Sequence, residues 1–413
     1  MVRQPIIELF LHHTKKIMPA NNISHNIIKL NIIKVAKWFM LTAPIMMLFY
    51  KEMGFNAEES FRLKAFYSIS IVIFEIPSGY LADVIGRRKT IIIGSIFGTL
   101  GFVIYSLMTG YWPFLMAEMT LGFGMSCISG ADSALLYDSL KVTGRDHLYV
   151  KYEGQNFSVG NFAEAMAGIT GGALAEISLR FPFFVQTGIA LMAIPAALML
   201  VEPPLHSKRM AMGMKEIWGV VRHSLIDNRP LRWNIVYSSI IGAATLTMAW
   251  VIQLYLAHIG YREYQIGMVA MALNLVVGFA TLSAYKAERY LSPTTTVWVT
   301  TLIITGSFMV AGFFQSGWII GCFVLFYIAR GIATPVLKDY VNQITGSHIR
   351  ATVLSIRSLI IRAVFAVVAP LFGWFTDQWS LSEAFIFLGL FYMATTGASI
   401  GLFLKTLPAK GNR

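Results

Sequence analysis

The stretch EIPSGYLADVIGRRK, residues 75–89, decides how the chain is read. Glu75 sits inside an apolar run, a glycine-punctuated turn follows, and Asp83, Arg87, Arg88 and Lys89 close the stretch. An oily segment that ends in a cluster of cations is what a chain shows where it leaves a bilayer on its positive side.

The rest of the sequence supports that reading. Of 413 residues, 56% are hydrophobic and only 13% are charged, with 34 glycines and 21 methionines. Soluble domains carry about 25% charged residues. A soluble protein with an oily core is the competing explanation, but it would not supply repeated apolar runs near the ~20 residues that cross a bilayer. Such runs fall near 30–50, 60–82, 90–109, 113–137, 155–178 and 182–201, then 232–258, 264–285, 294–314, 318–338, 351–376 and 382–405. They predict an all-α integral membrane protein of twelve spans in two pseudo-symmetric six-helix bundles, 30–201 and 232–405. A leader (1–29), a polar linker (202–231) and a tail (406–413) complete the chain. The leader segment IIELFLHHTKKIM either lies on the membrane surface or precedes a start at Met18.

The formal charge of +12 would suggest nucleic acid in a soluble protein; in a membrane protein it is first a matter of topology. With both termini cytoplasmic, inside segments hold 24 of the 33 Lys and Arg, and outside segments hold Lys51, Arg62, Lys64, Arg180 and Arg262. Lys37, Arg330, Arg357 and Arg362 lie within spans. The bias, near five to one, fixes the orientation and removes any need for a nucleic-acid partner. The expected location is the inner (plasma) membrane, as a multi-pass monomer. Cys127 and Cys322 lie in apolar runs and read as inert packing residues.

An internal repeat appears at an offset of 202 residues, which aligns VTG (142–144) with ITG (344–346), Gly171 with Gly373, Ser178 with Ser380, Ala82 with Ala284 and Arg87 with Arg289. Two related six-helix halves with a site at their interface are a transporter architecture.

The opening stretch can now be compared with a known pattern. GYLADVIGRRK resembles the signature between spans 2 and 3 of the major facilitator superfamily, G-x-L-a-D-r-x-G-r-r/k, with Gly79, Leu81, Asp83, Gly86, Arg87, Arg88 and Lys89 in its positions. The twelve-span layout extends the resemblance to the whole chain, and it implies the major facilitator fold. The second copy, LSAYKAERY, has Tyr285 where the first has Asp83, so only the first is expected to act as a latch. In span 4, EMTLGFG places Glu118 where the family commonly has the arginine of R-x-x-x-G-x-G. In span 5, GNFAEAMAGITGG keeps Gly160, Gly168, Gly171 and Gly172 but lacks the proline of the family's drug–proton antiporters.

Charged groups at bilayer depth cost several kcal/mol, so they are expected to face a wet cavity or a partner. Glu75 lies eight residues before Asp83, roughly 12 Å further into the bilayer. The resemblance implies that span 2 faces span 11, so Glu75 is expected to pair with Arg357 or Arg362. Asp83 would meet the start of span 11, where the helix dipole favours an anion. Together with Gly79, Gly86, Arg87 and Arg88 these form an expected gate, the competing account being that each charge is satisfied within its own half. Glu118, Asp132 and Glu164 make the first half acid-rich; a carboxylate in a low-dielectric cavity can carry protons or balance a cationic substrate. The blander roles are a structural partner for Glu164 in Lys37 or the backbone, a lipid-facing angle for Glu118, and gate or loop pairing for Asp132. Arg330 could bind an anionic group bidentately or neutralise Glu118 or Glu164. Lys37 is expected to snorkel to the surface. Trp250, Gln253 and Asn274 suit recognition of an amphipathic molecule, although such residues more often serve packing. Pro335 and Pro370 are expected to kink their spans.

No enzyme constellation, Walker sequence or metal spacing appears, so neither catalysis nor a cofactor is expected. The leading expectation is a secondary transporter working by alternating access. Protons and a small organic solute are its partners within the lipid bilayer, and exchange would export amphipathic or cationic compounds. Proton-coupled uptake of a nutrient or metal chelate, through an anionic group on Arg330, is the alternative. A receptor or scaffold without transport is a third class, and the intact first signature argues against it.

Overall fold

The computed structural model describes residues 23–203, 214–290, 292–346 and 349–406. Among these the chain is helical almost throughout. Eleven stretches are long and apolar enough to cross a membrane. The remaining span is Tyr149–Ala175, span 5, whose 27 residues include Asn156, Asn161, Glu153 and Glu164 and therefore read as less apolar. The other single-helix spans are Ala57–Ile85, Arg87–Leu107 and Tyr111–Val142 in the first set. In the second they are Arg229–His258, Glu263–Tyr290, Pro293–Phe313, Ile319–Gln343, Arg350–Gln378 and Leu381–Leu404. Most run several residues past the expected limits, because a hydropathy window sees only the apolar middle of a helix. Pro335 and Pro370 lie inside helices that continue through them.

Span 1 departs from its expected form in two ways. It begins earlier, since Asn26, expected in the leader, is fully buried. Its amide donates to Ser139 Oγ (2.9 Å) and Val201 O (2.8 Å) and accepts from Val201 N (2.9 Å). Span 1 is also broken: Asn26–Trp38 and Met46–Glu52 flank a 3-10 turn at Ala43–Ile45. Pro44 supplies no amide hydrogen and disfavours helix in the residue before it. Backbone groups freed within a bilayer need partners. Gln186 of span 6 accepts from Leu41 N (2.8 Å), while Gln253 of span 7 accepts from Met47 N (3.1 Å) and donates to Ala43 O (2.8 Å). Span 6 is itself in two pieces, Phe181–Leu191 and Ala193–Leu198. Within the expected linker, Met214–Arg222 forms a short helix. Residues 1–22 of the leader, the repeat position Arg289 as a side chain, and the tail beyond Thr406 lie outside what is described.

The ends of the molecule differ. One, the basic face, gathers Asn26, Ser139 and Val201 with the Gly86 turn. Two small apolar cores sit at this face, each confined to one half: Leu30, Ile33, Leu135 and Leu140 in the first, and Leu231, Ile235, Val341 and Val353 in the second. The large core, by contrast, runs through both halves. Span 2 packs along span 11, and span 5 along span 8. At the opposite face the span 2 helix starts with a capping box, Asn56 and Glu59 exchanging bonds of 2.8 and 3.2 Å. Asp377 of span 11 reaches across the seam to accept from Ala57 N (2.9 Å) and Glu58 N (2.7 Å). Phe61 meets Phe372 edge-on at 5.2 Å. Spans 5 and 8 touch through bare backbone: a Cβ on Gly267 would lie 2.4 Å from Gly168 O. The two halves are thus fused towards the Asn56 face and separately packed at the basic face. Outward-facing apolar side chains such as Phe162, Leu282, Leu302 and Val367 suit a lipid surround.

Candidate functional site

A cavity of about 320 Å³ lies between the halves, mostly apolar in its walls. Glu118 and Glu164 line it from the first half; Trp250, Gln253, Asn274 and Arg330 line it from the second. Six of the seven residues singled out for substrate or proton binding therefore share one space. Asp132 does not line it. Its carboxylate pairs with Lys34 (3.6 Å) and Lys37 (3.8 Å) of span 1. That pair also corrects the reading of Lys37, which is tied to Asp132 within the protein and does not reach for the surface.

Glu118 is completely buried. Its Oε1 accepts from Lys64 Nζ (2.5 Å), Tyr105 OH (2.6 Å) and Tyr50 OH (2.7 Å), while Oε2 has no hydrogen-bond partner. Lys64 was counted with the outside cations, although it falls near the start of the 60–82 run. In the structure it is only 4% exposed and lies on the cavity wall. The capping box explains the difference: with the helix starting at Ala57, Lys64 is two turns in, roughly 10 Å below its end. The N-x-x-E pattern at Asn56–Glu59 was the signal that could have placed it. The ammonium also sits 4.6 Å from the Trp250 ring centre, so a first-half cation rests on a second-half aromatic face. A desolvated contact of this kind contributes about 2 kcal/mol. The opposite-signed charges meet in a low-dielectric setting, where removing one partner costs about 3–5 kcal/mol.

Glu164 of span 5 and Arg330 of span 10 are both half-buried, and each feels the other's charge across the seam. The Arg330 guanidinium lies 5.4 Å from the Tyr327 ring centre. Gln253, expected among the recognition residues, spends both ends of its amide on the break in span 1. Its place is the seam, as a clasp between spans 1 and 7. Asn274 remains on the wall, half-buried.

The charges of the span 2–3 signature act mostly within their own half. Gly86 adopts φ +103°, a conformation that favours glycine, and its missing side chain makes room for the Glu202 carboxylate, 3.3 Å from where a Cβ would lie. Glu202 accepts from Arg87 N (3.0 Å) and Arg88 N (2.7 Å), an anion seated on the start of span 3. The Arg87 side chain pairs with Asp138 and donates to Ala134 O (2.6 Å) on span 4; that of Arg88 donates to Leu198 O (2.6 Å) on span 6. Spans 3, 4 and 6 are thereby tied together within the first half, where Arg87 and Arg88 were expected in a gate. Glu202 and Asp138 went unnoticed because each is an ordinary acid in a polar stretch until the fold delivers it to this turn. Asp83 is exposed on the last turn of span 2, and a Cβ on Gly79 would meet no atom within 4 Å. Glu75 faces Ser355 and Arg362 of span 11. Arg357, the other expected partner, points elsewhere: it donates to Ser238 Oγ (3.0 Å) and Ser238 O (3.3 Å) on span 7.

Comparison with known proteins follows the same lines. A family model, Major Facilitator Superfamily, matches residues 36–370. The tetracycline resistance protein, class B, of Escherichia coli is 23% identical over 296 residues, covering 69% of this chain and 71% of that protein. The quinolone resistance protein NorA of Staphylococcus aureus is 22% identical over 177 residues, covering 43% of this chain and 45% of NorA, so under half of that relative is matched. Among solved structures, the nucleoside transporter NupG superposes with a TM-score of 0.77 at 12% identity, covering 93% of this chain and 99% of that one.

Proposed function

The chain belongs to the Major Facilitator Superfamily and is a membrane transporter, not an enzyme; from that premise we propose that it exports an amphipathic, cationic organic compound in exchange for protons. The observation that carries this reading is the cavity between two halves that are fused at one face and separately cored at the other. It is an apolar chamber whose first-half wall carries buried Glu118 and half-buried Glu164 beside Lys37 and Lys64, and we read its acids as the groups that receive a flat molecule carrying positive charge. The relatives named for tetracycline and quinolone resistance support a cargo of that class. The basic face is the cytoplasmic one, in the inner (plasma) membrane, and the protein works as a monomer. Cargo enters from that side. Rocking then breaks the Asp377 and Gln253 clasps at the Asn56 face while Glu75 closes on Arg362. Arg330 already answers Glu164, which leaves it less free for the anionic group that proton-coupled uptake would require.

Reconstitution in vesicles with an imposed pH gradient tests the reading. Proton movement is followed while a panel of compounds is added. Cationic aromatic compounds should drive proton flux; a response confined to anionic nutrients would replace export with uptake.

A further inference from the structure

Lys64 stands in the cavity wall for a reason that neither the signature nor the twelve-span layout supplies. Its ammonium is held by Glu118 Oε1 on one side and by the Trp250 face on the other, and the second carboxylate oxygen of Glu118 is buried without a partner. The groups facing Glu118 are Tyr50 from span 1, Lys64 and Tyr67 from span 2, and Tyr105 from span 3. Among these, Lys64 is the one cation. We propose that Lys64 makes proton and cationic cargo mutually exclusive in this cavity, with Glu118 as the group that holds the exchanged proton. The inference rests on the export reading and assigns its coupling step.

The logic is one of charge. With Glu118 ionised, the pair is neutral and a cation in the chamber meets little net charge from it, while the buried, unpartnered Oε2 is the atom that takes the proton. When a proton takes that oxygen, the carboxyl becomes neutral and Lys64 is left uncompensated, steadied by Trp250 and the tyrosine faces. A positive charge a few ångströms away in a water-poor site repels a second cation strongly. The proton thus expels the cargo by unmasking a like charge beside it. Linkage requires the reverse as well: cargo binding must release the proton.

Binding of tetraphenylphosphonium and of ethidium to the purified full-length protein, measured across a pH series, tests this. If one proton leaves per cation bound, affinity in the wild type should weaken about tenfold per pH unit on the acid side. Glu118→Gln, a fixed mimic of the protonated acid, should bind weakly and without pH dependence. Adding Lys64→Met to Glu118→Gln removes the exposed charge and should restore binding tenfold or more. A lysine that only props up the fold would make the double variant no better than the single one, and that result overturns the proposal. So does a wild-type pH dependence that survives in Glu118→Gln. Failure of the wild-type protein to bind either cation contradicts the export reading itself. Were Glu118→Gln not to fold, infrared spectra of the wild type decide. A protonated carboxyl band should appear on acidification and vanish when the cation is added; its absence refutes the switch.

Discussion

At the scale of single residues the molecule separates charges that stabilise one half from charges that face across the seam. Arg87, Arg88, Asp138 and Glu202 belong to the first kind, and so does Arg357, whose guanidinium is held by Ser238. Glu75 and Arg362 belong to the second. A charge swap distinguishes them. Glu75→Arg and Arg362→Glu should each abolish transport in vesicles, and the two together should recover a substantial part of it. The parallel swap of Glu75 with Arg357 should recover none, because it also strips Ser238 of its donor; recovery there would reverse the assignment. These distinctions were only partly legible in the sequence. Glu118, Glu164 and Arg330 announced themselves as charges in apolar runs, since hydropathy makes such residues conspicuous. Lys64 stayed hidden because its depth depends on where a helix begins, and Gln253 because an amide gives no hint whether it will serve a ligand or a broken backbone.

At the scale of helices, the closed face depends on backbones that meet without side chains between them. Gly267 lies against Gly168 and Gly172 where spans 5 and 8 cross. Gly267→Ala forces a methyl into a carbonyl that cannot move aside, and should cost about 1–3 kcal/mol, seen as a lower melting temperature in detergent. Gly278→Ala on the same helix meets nothing within 4 Å and should leave the melting temperature unchanged or slightly raised. Equal losses at both positions would show that the crossing is not what glycine is for at Gly267. Span number and order were legible because apolar runs of bilayer length leave little choice. The break in span 1 was not, since the run LTAPIMML around Pro44 is as oily as any helix, and only the proline hinted that the helix is interrupted.

At the scale of the whole molecule, the 202-residue offset has structural counterparts. Ser178 and Ser380, the paired positions before spans 6 and 12, each accept a backbone N–H just beyond themselves, from Arg180 (3.2 Å) and Glu383 (3.5 Å). Gly171 and Gly373 each lie hard against a neighbouring backbone, at Leu41 and Ala57. What the sequence did not disclose is which face is shut, because one chain must encode both arrangements and their difference lies in contacts between halves. Rocking of the halves is the claim on which transport, coupling and the roles of the clasps all depend. It is tested most directly by paired spin-label distances, with Cys127 and Cys322 replaced by alanine. One pair spans the seam at the Asn56 face, on the exposed sites Lys51 and Glu383; the other spans it at the basic face, on the exposed, repeat-related sites Lys141 and Gln343. Between alkaline and acidic pH in lipid nanodiscs, the first distance should lengthen while the second shortens; both staying fixed, or both moving in the same sense, would contradict the account.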